Sequence, residues 1–87
     1  MNAFKDIPNL GKTLINKLQE AEIENIEQLR MIGSEKAFLR LKTIDPDACI
    51  NMLYALDGAV QGIRWHQLSK ERKEELKFYF QQLTLNN

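Results

Sequence analysis

The apolar positions of this chain recur with a helical period from end to end. Leu10, Leu14, Leu18 and Ala21 fall at i, i+4, i+8 and i+11, one face of a helix. Lys12, Asn16, Lys17 and Glu20 take the opposite face, so the spacing predicts a first helix over 10–21. Ile26, Leu29, Arg30 and Ile32 define a short second helix ending at Gly33. Ala37, Phe38 and Leu41 point inward from a third, over 35–42. Cys49, Leu53, Leu56 and Val60 line a fourth, widened by Met52 and Ala59, that runs to Gly62. Leu76, Phe80 and Leu83 mark a fifth, over 70–83. No stretch alternates with period two over strand length, and no strand-type hairpin turn occurs. The expected fold is all-α: a compact bundle of five short helices with connections of a few residues.

Punctuation residues agree with this division. Pro8 biases Ile7 away from helical backbone. Asn9 is a good N-cap and tolerates a positive φ. Asn25 with Gln28 three residues on resembles a capping box, and Gly33 suits the left-handed position after a helix. Ser34 is then expected to cap the third helix and Ser69 the fifth. Asp45-Pro46-Asp47 reads as a helix start: a cap, a proline at the first helical position and an acid at the positive dipole end. Gly58, inside the fourth helix, costs about 1 kcal/mol in propensity. Its presence there predicts the close approach of another helix backbone. Ile63, Trp65 and Leu68 are expected to pin the last connection, and a single turn around Phe4 precedes Pro8.

Composition narrows the classes. The 87 residues make a single domain, 1–87, with a loose tail expected from Leu85. Lys plus Arg number 12 and Asp plus Glu number 12, so the chain lacks the basic excess of a strong nucleic-acid binder. One cysteine and one histidine give neither a disulfide nor a zinc cluster, and a reducing cytoplasm is expected. The N-terminus carries no apolar secretion signal, and no apolar run approaches the length of a membrane span.

The stretch Ile7–Leu18 is the main candidate for chemistry. A tight turn at a helix N-terminus bares backbone N–H groups that accept a phosphate oxygen. Asn9, Leu10 and Gly11 would offer those groups, and Lys12 and Lys17 would add point charge. Gly11 would let a ligand backbone come close. The alternative is a plain structural turn: nucleic-acid hairpins of this kind usually carry glycine where Asn9 stands, and an Asn side chain is able to cap the helix itself. Lys70-Glu71-Arg72-Lys73-Glu74-Glu75 alternates in sign and reads as a solvated helix face. Phe78 and Tyr79 lie off the Leu76–Phe80–Leu83 stripe. They belong either to a wide core stripe or to an apolar patch for a protein partner or a second copy of the chain. His66 has no nucleophile or paired carboxylate in motif relation to it, and Cys49 falls on a core face. No phosphate-binding glycine loop of the nucleotide type occurs. The residues therefore indicate a binding module with no cofactor, not an enzyme.

Four segments together resemble the C-terminal domain of the TfoX/Sxy competence-regulator family. They are Ile7-Pro-Asn-Leu-Gly-Lys12, Glu27-Gln-Leu-Arg30 with Ile32-Gly33, Ala37-Phe-Leu-Arg-Leu41, and Leu56-Asp-Gly-Ala-Val-Gln-Gly-Ile-Arg-Trp65. The similarity covers nearly the whole chain and is most specific over Leu53–Leu68. It implies an all-α fold of the helix-hairpin-helix or SAM-like type and a link to the regulation of bacterial competence genes. The family's regulators carry an additional N-terminal domain, whereas this chain begins almost directly at the motif.

Overall fold

The most apolar helix, Ile50–Gln61, is the one that joins the second and fourth helices of the fold. In the computed structural model, which describes Phe4 and residues 6–85, four α-helices follow in order: α1 (Lys12–Glu20), α2 (Ile26–Ile44), α3 (Ile50–Gln61) and α4 (Lys70–Leu85). One turn of 3-10 helix, Trp65–Gln67, links α3 to α4. α3 packs against α2, the 3-10 turn and α4, and α1 packs against α2. Leu53, Leu56 and Ala59 of α3 are fully buried, as are Leu18 of α1, Leu29, Phe38 and Leu41 of α2 and Leu76 of α4. Phe4, ahead of α1, and Ile23, between α1 and α2, are buried in the same core. Phe38 and Phe80 meet across it, ring centroids 5.8 Å apart and tilted by 52°.

All-α architecture is as the periodicity predicts, with four helices in place of five. The expected second and third helices are the two halves of α2, which is interrupted at Gly33 (φ 84°, ψ 161°), a conformation essentially reserved for glycine. Ser34 does not cap the segment after Gly33, because it is buried and its hydroxyl donates to Asp57. Asn25 does cap α2: its Oδ1 accepts from the Gln28 N–H at 2.8 Å, while Gln28 Oε1 accepts from Glu24 N–H at 2.6 Å. Ser69 Oγ likewise accepts from Arg72 N–H at 3.1 Å.

Two expected boundaries move. α1 starts at Lys12, with Gly11 as its N-cap, because Asn9 is used elsewhere. Asp45-Pro46-Asp47 forms a turn before α3 rather than its first residues. Asp45 Oδ1 accepts from Asp47 N–H at 3.1 Å, and the Asp45 carbonyl accepts from Ala48 N–H at 3.0 Å. Lys42 Nζ donates to the carbonyls of Pro46 and Ala48, at 2.6 and 3.2 Å, tying the turn to the end of α2. α3 therefore begins only at Ile50, and its N-cap, Cys49, is exposed rather than on the core face. Leu85 ends α4 and is exposed; the rest of the expected tail, residues 86 and 87, lies outside the described residues.

Candidate functional site

Asn9 decides the shape of the candidate hairpin. Its backbone has φ 72°, the positive value that Asn tolerates better than most residues. This turns the side chain away from α1 and onto the last connection. There its Nδ2 donates to the Ile63 carbonyl at 2.8 Å and its Oδ1 accepts from Trp65 N–H at 3.0 Å. Both ends of the amide are engaged, tying Asn9 to residues 54 and 56 positions further along the chain. Gly58 of α3 sits beneath this bridge. A Cβ on it would lie 2.5 Å from Asn9 Nδ2, 2.8 Å from the Ile63 carbonyl oxygen and 3.1 Å from Trp65 Cα. The close approach expected at Gly58 is thus made by a side-chain amide and a connecting segment, not by another helix.

The N-terminus of α1 is left without a side-chain cap and without an acidic residue in its first turn. Gly11 and Lys12 are exposed, and Leu10 is half-buried against the core. Lys17 stands five residues further along α1. Its Nζ pairs with Asp45 Oδ2 at 2.9 Å. That hydrogen bond raises the lysine and lowers the carboxylate from their ordinary pKa values. The structure therefore keeps Leu10, Gly11 and Lys12 together at the turn and commits the Asn9 side chain and Lys17 to intramolecular partners.

The two aromatics of α4 separate. Phe78 is 63% exposed. Tyr79 turns inward, and its hydroxyl donates to the Glu35 carbonyl at 3.1 Å. Burial, and then the negative charge of Glu35, hold its phenol above the usual tyrosine range.

A polar cluster that periodicity did not single out joins α2, α3 and α4. Asp57, 4% exposed, lies on the otherwise apolar face of α3. Its Oδ1 accepts from Ser34 Oγ at 2.7 Å and from Arg72 Nη2 at 2.9 Å. Its Oδ2 accepts from Gln61 Nε2 at 2.7 Å and from Arg72 Nε at 3.2 Å. Arg72 Nη1 also meets Glu35 at 3.4 Å and Glu75 at 3.1 Å. The signal was present: Asp57 stands between Leu56 and Gly58, where a carboxylate requires a buried partner. Each Asp57 oxygen thus accepts two hydrogen bonds from within the chain, and the cluster ties α2, α3 and α4 together.

The 3-10 turn carries a second unforeseen grouping. The Trp65 ring stacks with Tyr54 of α3, centroids 5.8 Å apart and 12° from parallel, and with His66, 4.1 Å apart and 28° from parallel. Lys73 Nζ lies 5.8 Å from the centre of the same ring. Among the described residues, no group of three or more His, Cys, Asp or Glu is placed to hold a metal ion, and no helix is long and apolar enough to cross a membrane.

Comparison with known proteins agrees with this architecture. The model of the TfoX C-terminal domain matches residues 1–79. The chain is 32% identical over 81 residues to Protein Sxy of Escherichia coli (strain K12), covering 93% of this chain and 39% of Sxy. It is 34% identical over 76 residues to the DNA transformation protein TfoX of Haemophilus influenzae, covering 87% of this chain and 35% of that protein. The chain thus spans well under half the length of these relatives. Two crystal forms of a Listeria monocytogenes protein of unknown function superpose closely. The triclinic form has a TM-score of 0.92 at 45% identity, covering 97% of this chain and 94% of that one. The tetragonal form has a TM-score of 0.90 at 46% identity, covering 92% and 98%. With the motif segments, the fold and the sequence match in accord over nearly its whole length, this chain belongs to the TfoX C-terminal domain family.

Proposed function

We propose that this chain is a non-enzymatic regulatory module that contacts nucleic-acid backbone weakly through the N-terminus of α1. The observation that carries the reading is the uncapped start of that helix: Gly11 supplies no side-chain oxygen and the first turn holds no acid. Helix N-terminal N–H groups and the positive end of the dipole then face outward beside exposed Lys12, a combination that favours a phosphate. The Asn9 side chain, which could have filled the position, is held by Ile63 and Trp65 instead. One relative of this chain is named a DNA transformation protein, in keeping with a nucleic-acid context. Contact of this kind is independent of base sequence. Titration of labelled duplex DNA at low salt should give a log-log salt slope of about −1, for the one phosphate that Lys12 neutralises. Binding that is absent at high protein concentration, or unchanged by Lys12→Glu, rejects the reading.

A second reading, self-association or docking of a protein partner, rests on the exposed Phe78. Light scattering of the chain and of Phe78→Glu tests it. A wild-type chain that stays strictly monomeric over a wide concentration range argues against self-association.

A further inference from the structure

The alternating charges of α4 sort by sign once the helix is wound. At about 100° per residue, Lys70, Lys73 and Lys77 fall within about 60° of arc on one flank. Glu71, Glu75 and Phe78 fall on the outer face, with Glu74 at the border between the two. The lysine flank abuts the 3-10 turn, where Lys73 lies over the Trp65 ring. Exposed Arg64 immediately precedes that turn. Among the described residues the ion pairs are those of Lys17 and Arg72, and none involves Arg64, Lys70, Lys73 or Lys77. A chain with zero formal net charge therefore carries a locally basic surface.

That surface also holds the stacked rings. Tyr54 and Trp65 are half-buried, while His66 is exposed. The group of rings therefore includes an imidazole open to solvent. We propose that this aromatic and basic flank binds single-stranded nucleic acid, with an unpaired base stacking on His66 and the phosphates running along Lys73 and Lys77. Every base has a π-face, and base–aromatic stacking beside a cationic track is a general mode of single-strand binding. A duplex hides its base faces and would engage only the lysines. An acidic peptide would likewise leave the rings unused. The inference rests on the nucleic-acid reading above and adds the strand form and a second contact surface. Asn9 joins the two surfaces, since its main chain leads into α1 while its side chain holds Ile63 and Trp65.

Trp65 is the chain's one tryptophan, so it reports on its own surroundings. A ~12-nucleotide oligothymidylate, within the usual single-strand site size, is titrated at low salt and Trp65 fluorescence is followed. Saturable quenching is expected. His66→Ala should weaken it about tenfold, as loss of one stacked base does. Lys73→Glu with Lys77→Glu should weaken it at least as much and flatten the salt dependence. Lys12→Glu should leave the quenching in place, whereas it abolishes the duplex contact proposed for α1, so the two readings fail separately. His66 is exposed, and an unchanged thermal melt of His66→Ala confirms that any loss is local. No quenching, equal affinity for duplex of the same length, or equal quenching by poly-glutamate overturns the proposal; the last reassigns the flank to an acidic protein partner.

Discussion

Arg72 of α4 grips Asp57 of α3 with two hydrogen bonds, Nη2 to Oδ1 at 2.9 Å and Nε to Oδ2 at 3.2 Å. Ser34 and Gln61 complete the acceptor capacity of the carboxylate. A buried carboxylate is tolerated only when its charge and lone pairs are met in this way. Replacing Arg72 by Met leaves Asp57 ionised, buried and without its cation. The expected loss is about 3 kcal/mol at neutral pH, read from urea denaturation. A variant carrying both Arg72→Met and Asp57→Leu should recover much of that loss, because no buried charge then remains.

The same pair sets the acid limit of stability. Burial alone would raise the Asp57 pKa, but the hydrogen bonds from Arg72, Ser34 and Gln61 outweigh it and hold the carboxyl below its ordinary range. A folded pKa below the unfolded value of about 3.9 stabilises the fold at every pH above that value. The contribution is lost as pH falls through the folded pKa. Stability measured between pH 6 and pH 2 should therefore drop below about pH 4. In Arg72→Met the bonds from Ser34 and Gln61 remain but the cation is gone, so burial is opposed less and the Asp57 pKa shifts upward toward its unfolded value. The loss of stability below about pH 4 should therefore be smaller in the variant than in the wild-type chain.

The Asn9 bridge and Gly58 beneath it are coupled. Gly58→Ala forces a Cβ into the Asn9 amide and the Ile63 carbonyl, and overpacking of this kind costs about 2 kcal/mol. Asn9→Gly keeps the positive φ and removes only the two hydrogen bonds, also at about 2 kcal/mol. Thermal melts of the two single variants and the double variant should show a combined cost smaller than the sum, since each disturbs the same contact. Strict additivity would mean that the bridge does not depend on the absent Cβ.

Cys49 is exposed at the N-cap of α3. A thiol reagent should modify the native chain stoichiometrically without denaturant and leave the far-ultraviolet circular dichroism unchanged. Modification only after unfolding would instead place Cys49 on the core face that its spacing implies.

Much of the fold was legible because helices declare themselves locally. Leu14, Leu18, Leu29, Phe38, Leu41, Leu53, Leu56 and Leu76 were placed inward by spacing alone, and all are buried. Asn25 and Ser69 announced their helices because a cap needs only a few neighbouring residues. Local signals failed where a side chain had a distant partner. Asp45 looks like a cap, but a turn secured by Asp47, Ala48, Lys17 and Lys42 suits it better. Ser34 looks like a cap, but Asp57, 23 residues away, claims its hydroxyl.

The candidate surfaces divide in the same way. Sequence by itself determined the all-α class, the family, the inward faces and the turn that precedes α1, because each depends on spacing along the chain. The tertiary structure decided what those residues do. It turned Asn9 from the helix it precedes to a connection 54 residues away, committed Lys17 to Asp45, buried Asp57 against Arg72 and brought Lys73 over Trp65. Each of these depends on how helices meet in space. A one-dimensional pattern records which face a residue occupies but not which residue it finds there.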